Sequence, residues 1–184
     1  MELAITDLHQ PLVERAKKND RGAQFELYNL YSKAMLNVSN RIVNNIEEAE
    51  DVLQESFISA FKNINNYRGD STFGSWLKRI VVNNSINVLR KNKFEFSDIE
   101  EFDDSEYGED KTDYSGLTVK QINSAIEMLP QGFGMVLSLY LIEGYDHREI
   151  GEIMVISEST SKSQYNRAKK KLRGILKEKY GYER

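Results

Sequence analysis

A run of acidic residues divides this chain into two parts and limits the folds that are open to it. Residues 95–117 contain ten aspartates and glutamates and one base, which gives them a net charge of −9. The run has no sustained apolar period, and it includes Gly108 and Gly116. Because so polar a segment buries too little apolar surface to offset the entropy lost on folding, we predict a flexible linker between two small domains, residues 1–94 and 118–184.

Charge is segregated on either side of this predicted linker. The whole chain carries a formal charge of −4, so the residues outside the acidic run carry +5. Residues 75–93 hold five bases and no acid, and residues 158–184 hold nine bases against three acids. Two basic segments separated by an acidic one predict two nucleic-acid contacts joined by a linker. The acidic run is either a solubilising tether or a screen that folds onto the basic helices.

Helical spacing of apolar residues runs through both flanking parts, and the chain has two prolines in 184 residues. This pattern predicts an all-α fold. In the first part we expect four helices, at about 12–18, from about residue 21, at 47–64 and from residue 73. The stripes along the last three helices consist of Phe25, Tyr28, Leu36 and Ile42; of Ala49, Val52, Leu53, Ser56, Phe57, Ala60, Phe61 and Ile64; and of Phe73, Trp76, Leu77, Ile80, Val81 and Val88.

Helices resume near Thr118 in the second part. Asp146 and Glu149 have the spacing of a capping box, which predicts a short helix over residues 147–154. A three-residue connection and a long basic helix over about 158–177 follow. This order of elements is typical of a helix-turn-helix.

The long helix has two different faces. The inward face holds Thr160, Ser161, Gln164 or Tyr165, Ala168, Leu172 and Ile175, and the outward face holds Ser159, Lys162, Ser163, Asn166, Arg167 and Lys170. The N-terminal end of such a helix enters the major groove, where basic and amide side chains contact bases and phosphates. An ordinary helical hairpin with a solvated basic face is the alternative. The agreement of cap, turn and basic face favours the DNA interpretation.

Two further groups of residues allow either a functional or a purely structural interpretation. Opposite the core stripe of the third helix lie Asp51, Gln54, Glu55 and Ile58, which form either a docking face for a partner helix or an ordinary solvated surface. Residues 67–73 form a glycine-containing loop before a basic helix, suited either to stacking on an unpaired base or to a simple turn with a cap, in which Tyr67, Phe73 and Trp76 are core residues. We expect Phe73 and Trp76 to be core residues, while Arg79 and Asn83 suit DNA contact and solvated surface equally.

The sequence gives little support for an enzyme, a metal site or a membrane protein. The two histidines, His9 and His147, have no metal-ligand spacing, and there is no phosphate-binding loop or nucleophile elbow. We therefore predict no catalysis and no cofactor. No apolar run approaches the roughly 18 residues of a spanning helix, so we predict no membrane insertion. The first 20 residues lack a signal-peptide pattern, and the chain has no cysteine, which fits a cytoplasmic protein.

Taken together, three motifs resemble those of bacterial RNA polymerase sigma factors of the extracytoplasmic-function (ECF) group. AEDVLQESF at 49–57 resembles the core-polymerase-binding helix of that family. YRGDSTF at 67–73, with the helix that follows, resembles its minus-ten reading element. EGYDHREI at 143–150 and ISESTSKSQYNRA at 156–168 resemble its minus-thirty-five helix-turn-helix. The resemblance covers nearly all of residues 12–177, with the motifs in the family's order.

The resemblance implies a role for each set of residues. It implies contact of Asp51, Gln54, Glu55 and Ile58 with the polymerase, the first three at the beta-prime clamp helices. It implies minus-ten contacts by Tyr67, Arg68, Gly69, Asp70, Ser71, Arg79 and Asn83. It implies minus-thirty-five contacts by Ser159, Thr160, Lys162, Ser163, Asn166, Arg167 and Lys170. The expected partners are core RNA polymerase, including its beta flap, and promoter DNA. An anti-sigma factor is a common further partner in the family, and the sequence leaves that partner open.

The sequence departs from the family pattern at Val155, where glycine is usual, and at Ser161, where an apolar residue is usual. Both positions bear on the geometry of the turn. The competing hypotheses are a helix-turn-helix regulator that works without polymerase and an enzyme with a cryptic helical site. The first would not need the acidic helix face or the loop at 67–73, and the second lacks the expected motifs.

Overall fold

The computed structural model describes residues 8–91 and 117–181. The chain divides into two compact units, Met1–Phe94 and Glu95–Arg184. Within the described residues every regular element is helical, which confirms the prediction of an all-α fold. Apart from Leu117, the predicted acidic linker lies outside the described residues.

The first unit contains four α-helices and one short 3-10 helix. Asp20 accepts a hydrogen bond from the backbone N–H of Ala23 (3.1 Å) and so caps the second helix. Asn45 caps the third helix by accepting from the N–H groups of Glu47 (2.9 Å) and Glu48 (3.2 Å). The elements are α1 (Gln10–Lys17), α2 (Arg21–Val43), α3 (Ile46–Lys62), the 3-10 helix (Ile64–Asn66) and α4 (Phe73–Lys91).

Helices α2, α3 and α4 pack against one another to form the core of the first unit. The predicted stripe on α3 is buried from Ala49 to Ala60, and Phe61 is half-buried. On α2 the prediction was wrong for Phe25, which is 65% exposed, because the helix buries the face of Ala23 and Leu27 instead.

The buried face of α4 also differs from its predicted stripe. Trp76, Ile80 and Val88 are only half-buried. Because α4 packs against both α2 and α3, its buried face is wider than the predicted stripe and is rotated around the helix axis relative to it. The residues that it buries are Phe73, Leu77, Val81, Val82, Ser85, Ile86 and Leu89.

The second unit is built around one long helix. Its elements are α5 (Val119–Glu127), α6 (Gln131–Leu141), α7 (His147–Met154) and α8 (Glu158–Tyr180). Helix α8 packs against each of the other three. Thr118 and Gln121 form a capping box at the start of α5, so this helix begins where the sequence predicts. The core cluster consists of Leu129, Phe133, Leu137 and Ala168, with Ile126, Leu172 and Ile175 packed against it.

Candidate functional site

The outer face of α3 is a polar stripe with one apolar residue in it. Asp51, Gln54 and Glu55 are exposed, and Ile58 on the same face is 68% exposed. The opposite face, from Ala49 to Ala60, is fixed in the core, so the helix presents these four side chains on a rigid support. A rigid acidic face with an apolar contact is suited to docking a partner helix.

Tyr67 is buried under the loop before α4 and fixes its backbone by a hydrogen bond. The Tyr67 side chain is 3% exposed, and its hydroxyl donates a hydrogen bond to the backbone oxygen of Ser71 (2.6 Å). Its ring packs edge-on against Phe73 and at a tilt against Trp76, with centroid separations of 5.8 and 5.5 Å. The sequence placed Tyr67 among the DNA-contacting residues, whereas the structure places it beneath the loop, where it braces the Ser71 backbone.

The tip of this loop is open to solvent. Arg68, Gly69 and Asp70 are exposed, and Ser71 is half-buried. Gly69 has a φ of 84°, a left-handed conformation that side chains disfavour.

Helix α4 begins directly after the loop and carries two of the predicted DNA contacts. Thr72 Oγ1 accepts a hydrogen bond from the backbone N–H of Ser75 (3.3 Å), which caps the helix. Arg79 and Asn83 are exposed on α4. The exposed tip and these two residues therefore belong to one continuous loop-helix element.

Local hydrogen bonds fix the short helix α7 and the turn that follows it. Asp146 accepts from the N–H of Glu149 (2.8 Å), and the N–H of Asp146 donates to the Glu149 carboxylate (2.9 Å). This is the predicted capping box. A Cβ at Gly151 would lie 2.9 Å from the backbone oxygen of Ile156, so the turn packs against α7 at a point that leaves no room for a side chain. Ser157 then caps α8 through the N–H of Thr160 (3.0 Å).

The predicted DNA-contacting residues occupy the first four turns of α8. Ser159, Lys162, Ser163 and Asn166 are exposed. Arg167 and Lys170 are half-buried, as is Thr160, whose hydroxyl lies 2.8 Å from that of Ser157.

Lys162 has a partner on its own helix. Its Nζ lies 2.6 Å from Glu158 Oε1, and this hydrogen bond raises the pKa of Lys162 and lowers the pKa of Glu158. The side chain is therefore a stable cation that is held along the exposed face of α8.

Val155 occupies the one position of the turn where the backbone is strained. It has φ 57° and ψ 49°, and its side chain is 74% exposed. A side chain in this left-handed region costs roughly 1–2 kcal/mol. A β-branched residue there is a marked outlier.

Replacing Val155 by glycine should therefore stabilise the second unit. We expect Val155→Gly to raise the free energy of unfolding by about 0.5–1 kcal/mol, since the relieved strain exceeds the entropy that glycine adds to the unfolded chain. Urea unfolding followed by circular dichroism measures the change, with Val155→Ala expected to fall between wild type and Val155→Gly. A lower midpoint for Val155→Gly would contradict the assignment of strain.

Sequence reasoning missed a contact between α7 and α8. Ser161 is fully buried, and its Oγ lies 3.0 Å from Nδ1 of His147. The His147 ring stacks on Tyr140 of α6 at 4.4 Å between centroids, with 14° between the planes. A serine on the inward face of α8 was the available signal, but only the fold identifies its partner.

Neither a metal site nor a membrane helix is found among the described residues. In residues 8–91 and 117–181 no group of three histidine, cysteine or carboxylate side chains is arranged to hold a metal ion. Across the same residues no helix combines the length and apolarity needed to cross a bilayer.

The architecture is that of a helical DNA-binding protein, because a capped helix-turn-helix carries exposed polar side chains and Lys162 at the start of its second helix, with Arg167 and Lys170 half-buried further along. Two family models match it. Residues 27–95 match Sigma-70 region 2, and residues 116–172 match Sigma-70, region 4.

Full-length relatives show the same affiliation. The chain is 31% identical to the RNA polymerase sigma-H factor of Pseudomonas aeruginosa, an alignment that covers 92% of this chain and 96% of the relative. It is 30% identical to the ECF RNA polymerase sigma-E factor of Escherichia coli, with 92% and 93% covered. It is 29% identical to the ECF sigma factor SigW of Bacillus subtilis, with 90% and 95% covered.

Solved structures with the same fold include two complexes. CnrH in complex with the cytosolic domain of CnrY gives a TM-score of 0.58 at 20% identity, covering 94% of this chain and 99% of that one. The sigma factor RpoE in complex with the anti-sigma factor NepR, from Bartonella quintana, gives 0.56 at 20% identity, covering 83% and 95%.

The chain belongs to the extracytoplasmic-function group of RNA polymerase sigma factors. This family consists of transcription initiation factors, and the chain is a sigma factor that binds RNA polymerase and directs it to promoters.

Proposed function

We propose that the outer face of α3 binds the beta-prime clamp helices of core RNA polymerase. Asp51, Gln54 and Glu55 supply hydrogen-bond acceptors and charge, and Ile58 supplies an apolar contact. Their common exposure on a helix whose other face is buried supports this assignment. Residues 1–94 then form the region 2 domain, residues 95–117 the linker and residues 118–184 the region 4 domain, which also meets the beta flap.

The loop at 67–72 and α4 read the minus-ten element in this proposal. Arg68, Gly69, Asp70 and Ser71 form the wall of a pocket for a base that leaves the duplex, and Tyr67 holds the wall in shape. Arg79 and Asn83 extend the contact along α4. Unstacking a base costs a few kcal/mol, so contacts made only with the extruded base stabilise melted DNA over the duplex.

The recognition helix α8 meets the minus-thirty-five duplex through its first four turns. Ser159, Lys162, Ser163 and Asn166 face outward there, and Thr160, Arg167 and Lys170 lie at the margins. Both side chains of the Lys162–Glu158 ion pair are exposed to solvent, and such surface pairs contribute little to stability. Lys162 can therefore exchange Glu158 for a phosphate or a base edge at little cost.

The mechanism is recognition, and the polymerase performs nucleotide addition. No residue of this chain acts as a catalyst and no cofactor takes part, and the protein works in the cytoplasm with the polymerase. The observation that carries the proposal is the capped helix-turn-helix with its basic face, in the same chain as the exposed acidic face of α3.

Run-off transcription from randomised promoters tests this function. Purified cognate core polymerase is assayed with and without the chain, and the templates that give transcripts are sequenced. We expect initiation only with the chain, from templates enriched in two short elements separated by a spacer, the minus-thirty-five and the minus-ten. No initiation while duplex binding is retained would instead identify a regulator that works without polymerase.

A further inference from the structure

A cluster of polar and aromatic side chains lies where α6, α7 and α8 meet. His147 begins α7, stacks on Tyr140 of α6 and meets Tyr165 of α8 edge-on at 5.4 Å between centroids. Tyr140 and Tyr165 are 4.6 Å apart at the ring centres. The Nδ1 atom of His147 lies 3.0 Å from Ser161 Oγ. His147 therefore contacts all the side chains of the cluster.

The inward face of α8 is polar where it meets this cluster. Ser161 is fully buried, and Gln164 is buried one turn further on. The Gln164 Oε1 atom has no hydrogen-bond partner among the described residues. Buried polar groups gain little from apolar packing, so a directional hydrogen bond has greater weight at such a face.

The His147–Ser161 contact ties the start of α7 to the first turn of α8, next to the outward-facing residues of that helix. Ser161 directly precedes Lys162, and Asn166 lies on the outward face little more than one turn beyond. A helix that rotates by a fraction of a turn moves outward-facing side chains by several ångströms, because they lie well away from the helix axis. Base-edge contacts do not tolerate such movements, since they need hydrogen-bond geometry.

We propose that His147 is the positioning residue of the recognition helix and that it acts as the neutral imidazole, so that discrimination of the minus-thirty-five element weakens as the solution becomes acidic. The proposal rests on the proposed function of α8.

The surroundings of His147 disfavour its charged form. Burial lowers the pKa of His147 below its usual range, and Lys162 and Lys169 of α8 lower it further. Asp146 beside it and Glu158 of α8 act in the opposite direction but do not prevail, and the rings that face it from α6 and α8 are those of Tyr140 and Tyr165. The N-terminal end of α7 also repels a cation.

The sign of the pH dependence follows from that lowered pKa. A histidine whose pKa is lower in the folded than in the unfolded chain stabilises the folded arrangement fully above the unfolded value of about 6.5. That contribution is lost as the pH falls through the folded value. The cluster should therefore be intact at neutral pH and above, and should loosen in mild acid.

Paired run-off templates measure the positioning directly. One template carries the minus-thirty-five element selected from the randomised promoters, and the other is identical except that this element is scrambled. The ratio of their transcripts reports discrimination and cancels the pH response of the polymerase itself. For the wild-type chain we expect the ratio to stay constant from about pH 8 to about pH 6.5 and to fall as the pH is lowered further, by at least about twofold once the pH lies below the folded pKa of His147.

Variants separate positioning from simple stability. His147→Asn keeps an amide near the position of Nδ1 and cannot be protonated, so it should retain most of the ratio and lose the pH dependence. His147→Ala should lower the ratio at every pH, and adding Ser161→Ala to it should lower the ratio no further. The chain has one other histidine, His9, whose Nδ1 lies 2.7 Å from the Tyr31 hydroxyl in the first unit. His9→Asn is therefore the matched control, and it should keep the wild-type pH profile.

Three outcomes would overturn the proposal. A wild-type pH profile in His147→Asn, or an unchanged ratio in His147→Ala, would show that His147 does not position α8. If the wild-type chain initiates equally from the selected and the scrambled templates at about pH 8, the minus-thirty-five role of α8 is refuted, and the positioning role of His147 with it.

Discussion

Alanine at both Asp51 and Glu55 should weaken binding of this sigma factor to core RNA polymerase by about 100-fold or more, because each hydrogen bond to a charged group contributes roughly 1.5–3 kcal/mol. Both side chains are exposed and lie away from the core. The free energy of unfolding should therefore change by less than about 0.5 kcal/mol. Run-off transcription at limiting concentration should fall in parallel with binding. Duplex binding by α8 should not change.

Fluorescence anisotropy with labelled chain and purified core enzyme measures this affinity. Glu50 provides a matched comparison, because it is an exposed carboxylate on the same helix that lies next to Gln54 at the edge of the proposed face, about 100° around the helix axis from Asp51 and about 140° from Glu55. Glu50→Ala removes the same charge and should leave the affinity within a few-fold of wild type. Equal losses from Glu50→Ala and Glu55→Ala would show that the overall charge of α3, rather than the proposed face, governs binding.

Removal of the Tyr67 side chain should produce the second large effect. Truncating a buried aromatic residue to alanine costs about 3–5 kcal/mol of stability. We therefore expect Tyr67→Ala to destabilise the first unit by that amount and to abolish promoter melting. Tyr67→Phe keeps the ring between Phe73 and Trp76 and deletes only the hydroxyl that holds the Ser71 backbone. Its cost to stability should be about 1 kcal/mol.

Permanganate footprinting of unpaired thymines distinguishes the role of the loop from that of the fold. Tyr67→Phe should keep core binding and duplex binding while reducing the fraction of melted promoter several-fold. Tyr28→Phe is the control, because Tyr28 packs edge-on against Phe57 in the same unit and is not part of the loop. Melting at the wild-type level in Tyr67→Phe, with the fold intact, would show that the brace under the loop does not contribute to base capture.

Local signals in the sequence were sufficient for much of the fold. The capping box of Asp146 and Glu149 predicts the start of α7 at His147, and the helix begins there in the structure. The two faces of α3 follow from the 3.6-residue period alone, since a helix packed on one side buries a single stripe. Thr118 similarly marks the start of α5. In each case the determining interaction lies within a few residues of the chain.

Features that depend on contacts between helices were not predictable in this way. Helix α4 buries a wider face than its apolar stripe because two helices cover it. The sequence allows Tyr67 to be either a core residue or a DNA contact, and only the packing of Phe73 and Trp76 against its ring shows that it is buried. The partner of Ser161 lies 14 residues away along the chain, on another helix. Neither the spacing of apolar residues nor a helix-capping motif carries information about partners that lie on another helix.

The bracing of the loop before α4 also bears on how specificity changes in evolution. The shape of the loop comes from buried rings beneath it, while the side chains of Arg68 and Asp70 at its tip contribute nothing to the core. Substitutions at exposed positions usually change stability by less than about 0.5 kcal/mol. Positions 68 and 70 can therefore acquire new side chains with little penalty in folding, whereas Gly69, with its φ of 84°, cannot. Descendants of one sigma factor can therefore diverge in promoter preference while the buried rings under the loop stay the same.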